Sequence, residues 1–205
     1  MYELIPATDT RLNGISREIT KDEFGSEFLQ ELIENMGRIA MQERDEEHPN
    51  RPTLVGLAAP QIGVFVQVIL FDAAASSAQP NFNPDLQFVI NPKIVKASDE
   101  RELGREGCYS TGDIRAVVRR HTAVTVTGFD QDGKELNYNL TDFQARIVQH
   151  EIDHLNGVRC PDRIESPERL HKVLPDEFQD YRENWAMWDK FYRPEDWLRI
   201  KHGGA

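Results

Sequence analysis

Residues 149–157 read QHEIDHLNG, with His150 and His154 four positions apart and Glu151 beside the first of them. On an α-helix such a pair sits about 40° apart around the axis and about 6 Å apart along it, so both imidazoles reach one cation. Glu151, one step round from His150, is near enough to take a proton from a water polarised by that cation without being a ligand itself. Metal-assisted hydrolysis is the chemistry this spacing serves.

A hydrolytic centre of this kind takes three protein ligands and leaves one position open. Two cysteines compete for the third place. Cys160 stands in LNGVRC, where an extended metallopeptidase motif carries its third histidine. Cys108 stands in EGCYS, a glycine-containing turn that can gather a thiolate and backbone N–H groups around one point. The residue pattern alone leaves both open.

Positioning these groups is the task of the surrounding elements. Thr141 with Gln144 reads as a capping box and Gly157 as a C-terminal cap, which predicts a helix from Asp142 to about Asn156. A second box, Thr20 with Glu23, precedes Phe24, Phe28, Leu29, Leu32, Ile33, Met36 and Ile39 at helical spacing, which predicts an N-terminal amphipathic helix. Strands are expected over 64–72 and 87–97, and 123–140 reads as a hairpin turning at Asp132-Gly133. Polar loops are expected over 43–52 and 73–85. Ser166 and Pro167 suggest the start of a C-terminal helical segment interrupted by Pro175. Phe178, Tyr181, Trp185, Trp188 and Tyr192 follow as an aromatic stripe on one helical face.

The fold class is therefore α+β: short, mainly antiparallel strands packed around a central metal-binding helix, with an N-terminal helix and a C-terminal helical segment. One domain over 1–205 is expected, with 165–205 as its helical extension. Against 24 Lys and Arg stand 35 Asp and Glu, a net charge of -11. That balance disfavours nucleic acid as a direct substrate and an anionic membrane as a partner. MYELIPATDT lacks the basic and apolar runs of an export signal, so a cytoplasmic protein is expected. Two cysteines are too few for a disulfide framework.

Taken in order, GLAAPQ (56–61), EGCYS (106–110) and QHEIDHLNG resemble the peptide deformylases over roughly residues 54–164. The resemblance implies that Cys108, His150 and His154 hold one divalent ion. This is usually Fe(2+) in that family, with Zn(2+), Ni(2+) or Co(2+) also compatible with the donor set, and Cys160 is left as a structural residue. It implies a hydrolase of protein biosynthesis that takes the formyl group off the initiator methionine of nascent polypeptides, as a monomer, near the ribosome exit region. Glu151 becomes the general acid and base. Gln61 and the backbone N–H of Tyr109 become oxyanion donors, and Gly56 contacts the substrate main chain. Val55 and Ile147 would line the methionine pocket, with core packing an equal account of both; Gly107 would border the substrate; Arg115 resembles a family arginine near the peptide path or is surface charge; and Asp153 is expected to pair with Arg120 or to orient a ligand. The pattern departs at Leu54, where the family usually has glycine, and at Tyr109, where it usually has leucine. These departures motivate a silent binder of peptide N-termini as an alternative. The onward spacing to Cys160 motivates a zincin-like metallopeptidase.

Overall fold

The computed structural model describes residues 2–41, 53–77 and 83–204. The acidic stretch 43–52 and residues 78–82 of the expected loops lie outside them. The architecture is α+β, with two antiparallel sheets and four α-helices among the described residues.

The larger sheet runs in the order β1 (Gly56–Ala58), β2 (Val68–Asp72), β3 (Leu86–Ala97), β6 (Ala123–Phe129), β7 (Glu135–Thr141). The smaller one runs β4 (Arg101–Glu106), β5 (Ile114–His121), β8 (Leu170–Lys172). Every residue of β2 is buried, because both faces of its sheet are covered. Val68 and Leu70 pack with Leu29, Leu32 and Met36 of helix α1 (Glu27–Met41). Ile69 and Phe71 point the other way, onto Ala145 and Val148 of helix α2 (Asp142–Leu155). Such two-sided burial is why VILFD is an unbroken apolar run rather than an alternating one. Full burial of each large aliphatic side chain in these layers contributes about 1.5–3 kcal/mol. The β6–β7 hairpin forms as expected: Asp130 Oδ1 accepts from the N–H groups of Asp132 and Lys134, and Gly133 takes φ +79°.

Several boundaries differ from the sequence reading. The Thr20–Glu23 box closes a short 3-10 turn (Lys21–Glu23), not α1. Gly25 then takes φ +72° and breaks the chain direction, and Ser26 Oγ accepts from Leu29 N–H at the true helix start. The strand predicted from residue 64 begins at 68, because the preceding backbone bonds elsewhere: Val64 N–H to Ala59 O, and Phe65 O to Arg17 N–H. Thr141 makes no side-chain cap, and Gln144 reaches instead to the carbonyl of Ala75 at 3.0 Å.

The end of α2 is as expected. Gly157 takes φ +69°, its N–H bonds His154 O, and Val158 N–H bonds Asp153 O, the paired bonds of a Schellman cap. A Cβ at Gly157 would also meet Asn13 O at 2.3 Å, so glycine is required twice over.

Beyond Ser166 the chain makes one 3-10 turn (Pro167–Arg169) and then β8, where a helix was expected. Helix α3 (Phe178–Asn184) is short, and α4 (Pro194–Lys201) begins with proline at its first position. The aromatic residues therefore do not share one helical face. Tyr181 is buried against His171, while Trp188, past the end of α3, donates to Lys172 O. No helix among the described residues is long and apolar enough to cross a membrane.

Candidate metal centre

Helix α2 lays His150, Glu151 and His154 side by side, all buried. Opposite them the chain leaves β4 through Gly107 and Cys108 into a 3-10 turn (Tyr109–Thr111). One ligand atom each from Cys108, His150 and His154 lies within 4.8 Å of the other two, and Cys108 Sγ stands 3.5 Å from His154 Nε2. A tetrahedral ion with bonds of about 2.0–2.3 Å separates its donors by roughly 3.3–3.8 Å, so this donor set fits one. Glu151 Oε2 is buried without a hydrogen-bond partner, which marks a place made for a further polar group. Cys160 is buried in the core beside Ile114 and Leu170; its sulfur groups with His150 and Glu106 rather than with both histidines.

Electrostatics agree with the geometry. Cys160 beside it, together with His154 and His150, holds the Cys108 thiol well below its ordinary range despite burial. Burial pushes the Glu151 carboxyl up to about 7. A carboxyl poised there exchanges protons readily near neutral pH.

Glu106 is the residue that sequence reasoning missed. Its carboxylate accepts from His150 Nδ1 at 2.9 Å, from Arg120 Nε at 3.0 Å and from Arg146 Nη1 at 2.8 Å. Burial favours its neutral form, but Arg120 and His150 outweigh burial and hold it well below the usual carboxylate range. By accepting from Nδ1 it fixes the imidazole and leaves Nε2 free for an ion. The expected Asp153–Arg120 pair is present at 2.5 Å, and Arg163 closes on the same carboxylate at 2.6 Å. Arg159, fully buried, holds the carbonyls of Ala7 and Ser110 and the side chain of Asn13, with its guanidinium 4.5 Å from the Trp197 ring centre.

A cavity of about 650 Å³ opens onto this centre, and Val55, Gly56, Gln61, Gly107, Tyr109 and Ile147 are among the residues lining it. Gln61 is oriented at both ends: Ala58 N–H donates to its Oε1 at 2.8 Å, and its Nε2 donates to Ser110 Oγ at 3.2 Å. Its Nε2 keeps a second hydrogen beyond the one given to Ser110. Tyr109 begins a 3-10 turn, so its N–H has no acceptor inside that turn, while its side chain is exposed. Leu54 does not take positive φ; it packs against the α1 core and its N–H bonds Ala40 O. Arg115 lies at the rim, its guanidinium 5.5 Å from the Phe178 ring centre.

A family model described as polypeptide deformylase matches residues 1–170. Peptide deformylase 1A, chloroplastic, of Solanum lycopersicum is 37% identical over 174 residues, covering 80% of this chain and 60% of the relative. The chain thus spans about three-fifths of that plant protein's length. Peptide deformylase 1 of Vibrio vulnificus is 36% identical over 157 residues, covering 77% of this chain and 82% of the relative. Among solved structures, the class I type b peptide deformylase of Acinetobacter baumannii with Met-Ala-Ser bound aligns with a TM-score of 0.69 and 29% identity. That alignment covers 80% of this chain and 98% of the other.

Proposed function

Because the chain belongs to the polypeptide deformylase family, we propose that it removes the formyl group from the N-terminal formyl-methionine of nascent polypeptides, using one divalent metal ion. The observation that carries this reading is the convergence of Cys108, His150 and His154 next to the unpartnered Glu151 oxygen. Cys108, His150 and His154 would hold the ion; a thiolate with two imidazoles suits ferrous iron, and also zinc, nickel or cobalt. Bound there, the ion supplies Lewis acidity that lowers the pKa of a water from far above neutrality to about 7.

The chain's own residues supply the rest. Val55 and Ile147 offer an apolar wall to the methionine side chain. As water attacks the formyl carbon, Glu151 accepts its proton. Gln61 Nε2 and the Tyr109 N–H donate to the formyl oxygen while it carries negative charge. The C–N bond then breaks, formate leaves, and Glu151 returns the proton to the amine nitrogen of the freed methionine. Water is consumed and no redox change occurs. We assign this work to the cytoplasm on the strength of the bacterial relatives, and to the ribosome exit region because the substrate proposed is the N-terminus of a nascent chain.

The test is turnover of a formyl-Met tripeptide by protein loaded with ferrous iron under anaerobic conditions, read as release of formate and of a free amine. Binding of the peptide without consumption would instead support the silent-binder reading. Gly56 provides a finer check. A Cβ built there lies 2.3 Å from Glu151 Oε1 and 2.9 Å from Ile147 Cγ2. Gly56→Ala is expected to push the carboxyl aside and lower kcat by about a hundredfold, the effect of misplacing a reacting group by about 1 Å. Metal content should be unchanged, and an unaltered kcat would show that Glu151 does not depend on this contact.

A further inference from the structure

The chain is strongly acidic, and most of its arginines lie on carboxylates: Arg17 on Glu23, Arg119 on Glu165, Arg120 and Arg146 on Glu106, Arg163 on Asp153. Arg105 and Arg182 break this habit. Both are partly buried, and neither guanidinium makes a hydrogen bond or ion pair among the described residues. They sit close enough to repel, since burial and then the Arg182 charge lower the Arg105 pKa. Two like charges held together out of full solvent are costly without an anion between them.

Their placement ties them to the cleft. Arg105 pairs with Val117 across β4–β5, and Arg115 lies two residues before Val117, so Arg105 and Arg115 occupy the same sheet face. Helix α3 covers that face, with Phe178 against Arg115 and Tyr181 bonded to His171. Arg182 follows Tyr181 and lines the same cavity as Arg105 and Glu151. It also lies beyond the segment matched by the family model. Among the described residues the carboxylates on this cavity are Glu106 and Glu151 of the candidate metal centre and Asp113, which pairs with neither arginine.

We propose that Arg105 and Arg182 form an anion subsite that reads an acidic side chain on the peptide, two to four residues from its formylated end. This rests on the deformylase reading, which sets the direction in which the peptide lies. Arg105 precedes Cys108 by three residues of extended chain, about 10 Å, the span of roughly three residues of an extended peptide. Paired guanidinium forks suit a carboxylate better than a point charge would.

The experiment compares amidated formyl-Met-Ala-Xaa, formyl-Met-Ala-Ala-Xaa and formyl-Met-Ala-Ala-Ala-Xaa peptides with Xaa as Glu, Gln or Lys, on ferrous-loaded protein, with kcat and KM determined separately, the effects below being those at the best-read position. Glu should lower KM about tenfold relative to Gln, Lys should raise it, and added salt should shrink the ratio. A Gln peptide with a free C-terminal carboxylate should gain less than the Glu amide; an equal gain would overturn the assignment to a side chain. In Arg105→Gln/Arg182→Gln the Glu-to-Gln ratio should fall to near one, and Arg182→Gln alone, on the short outer helix, should lose part of it. The same ratio is read without turnover by calorimetric titration of the deformylated Glu and Gln amides of the same three lengths. If binding discriminates but no formyl peptide is consumed, the subsite stands and the deformylase reading falls. Equal affinity for Glu and Gln, or a preference that survives in the double variant, overturns the subsite.

Discussion

Glu151→Gln is expected to lower kcat on a formyl-Met peptide by about 10²–10⁴-fold, the usual contribution of a positioned acid–base group. The amide nearly matches the carboxyl in shape, so it occupies the same space beside Gly56 and Ile147. It can neither take a proton from water nor return one to the amine. Because Glu151 is assigned no ligand role, the variant should bind the metal stoichiometrically and keep KM within a few-fold of the parent. Steady-state kinetics paired with metal analysis decide the matter. A kcat within a few-fold of the parent would remove Glu151 from the chemistry, whereas loss of the ion would make it a ligand.

The second large effect concerns the two thiols. Cys108→Ala should abolish stoichiometric metal binding and, with it, turnover, since three-ligand coordination would drop to two imidazoles. Cys160→Ala should keep the ion, because its sulfur is part of the core formed by Ile114, Ala116, Leu170 and Trp197. Its cost should instead appear as a modest loss of thermal stability from the small void. Metal content of the two purified variants is the readout. The reverse pattern, with the ion lost only from Cys160→Ala, would revive a zincin-like arrangement.

Much of this centre was legible from local spacing. His150, Glu151 and His154 announce themselves because one helical turn brings them together, and Gly157 marks the end of that helix. The hairpin at Asp130–Lys134 was equally plain, since its turn chemistry is contained in five consecutive residues. Glu106 was not. Its partners Arg120, Arg146 and His150 come from distant parts of the chain, so nothing near Glu106 distinguishes a buried hub from a solvated strand charge. The aromatic spacing after residue 178 misled for a related reason. Intervals of three and four suit a helix, but Trp188 and Tyr192 are placed by contacts with β8, at Lys172 and Leu170. Apolar continuity over 64–72 likewise cannot tell a strand from the buried turn that leads into it.

Arg159 ties together parts of the molecule that look independent in the topology. One guanidinium clasps the arm carrying Ala7 and Asn13, the carbonyl next to the cysteine turn, and the indole of Trp197. None of these segments can peel away without stranding a desolvated cation among the others. These segments are therefore expected to open as a single cooperative unit, with amide protons in the arm, the turn and α4 sharing one exchange free energy, which native-state hydrogen exchange would read.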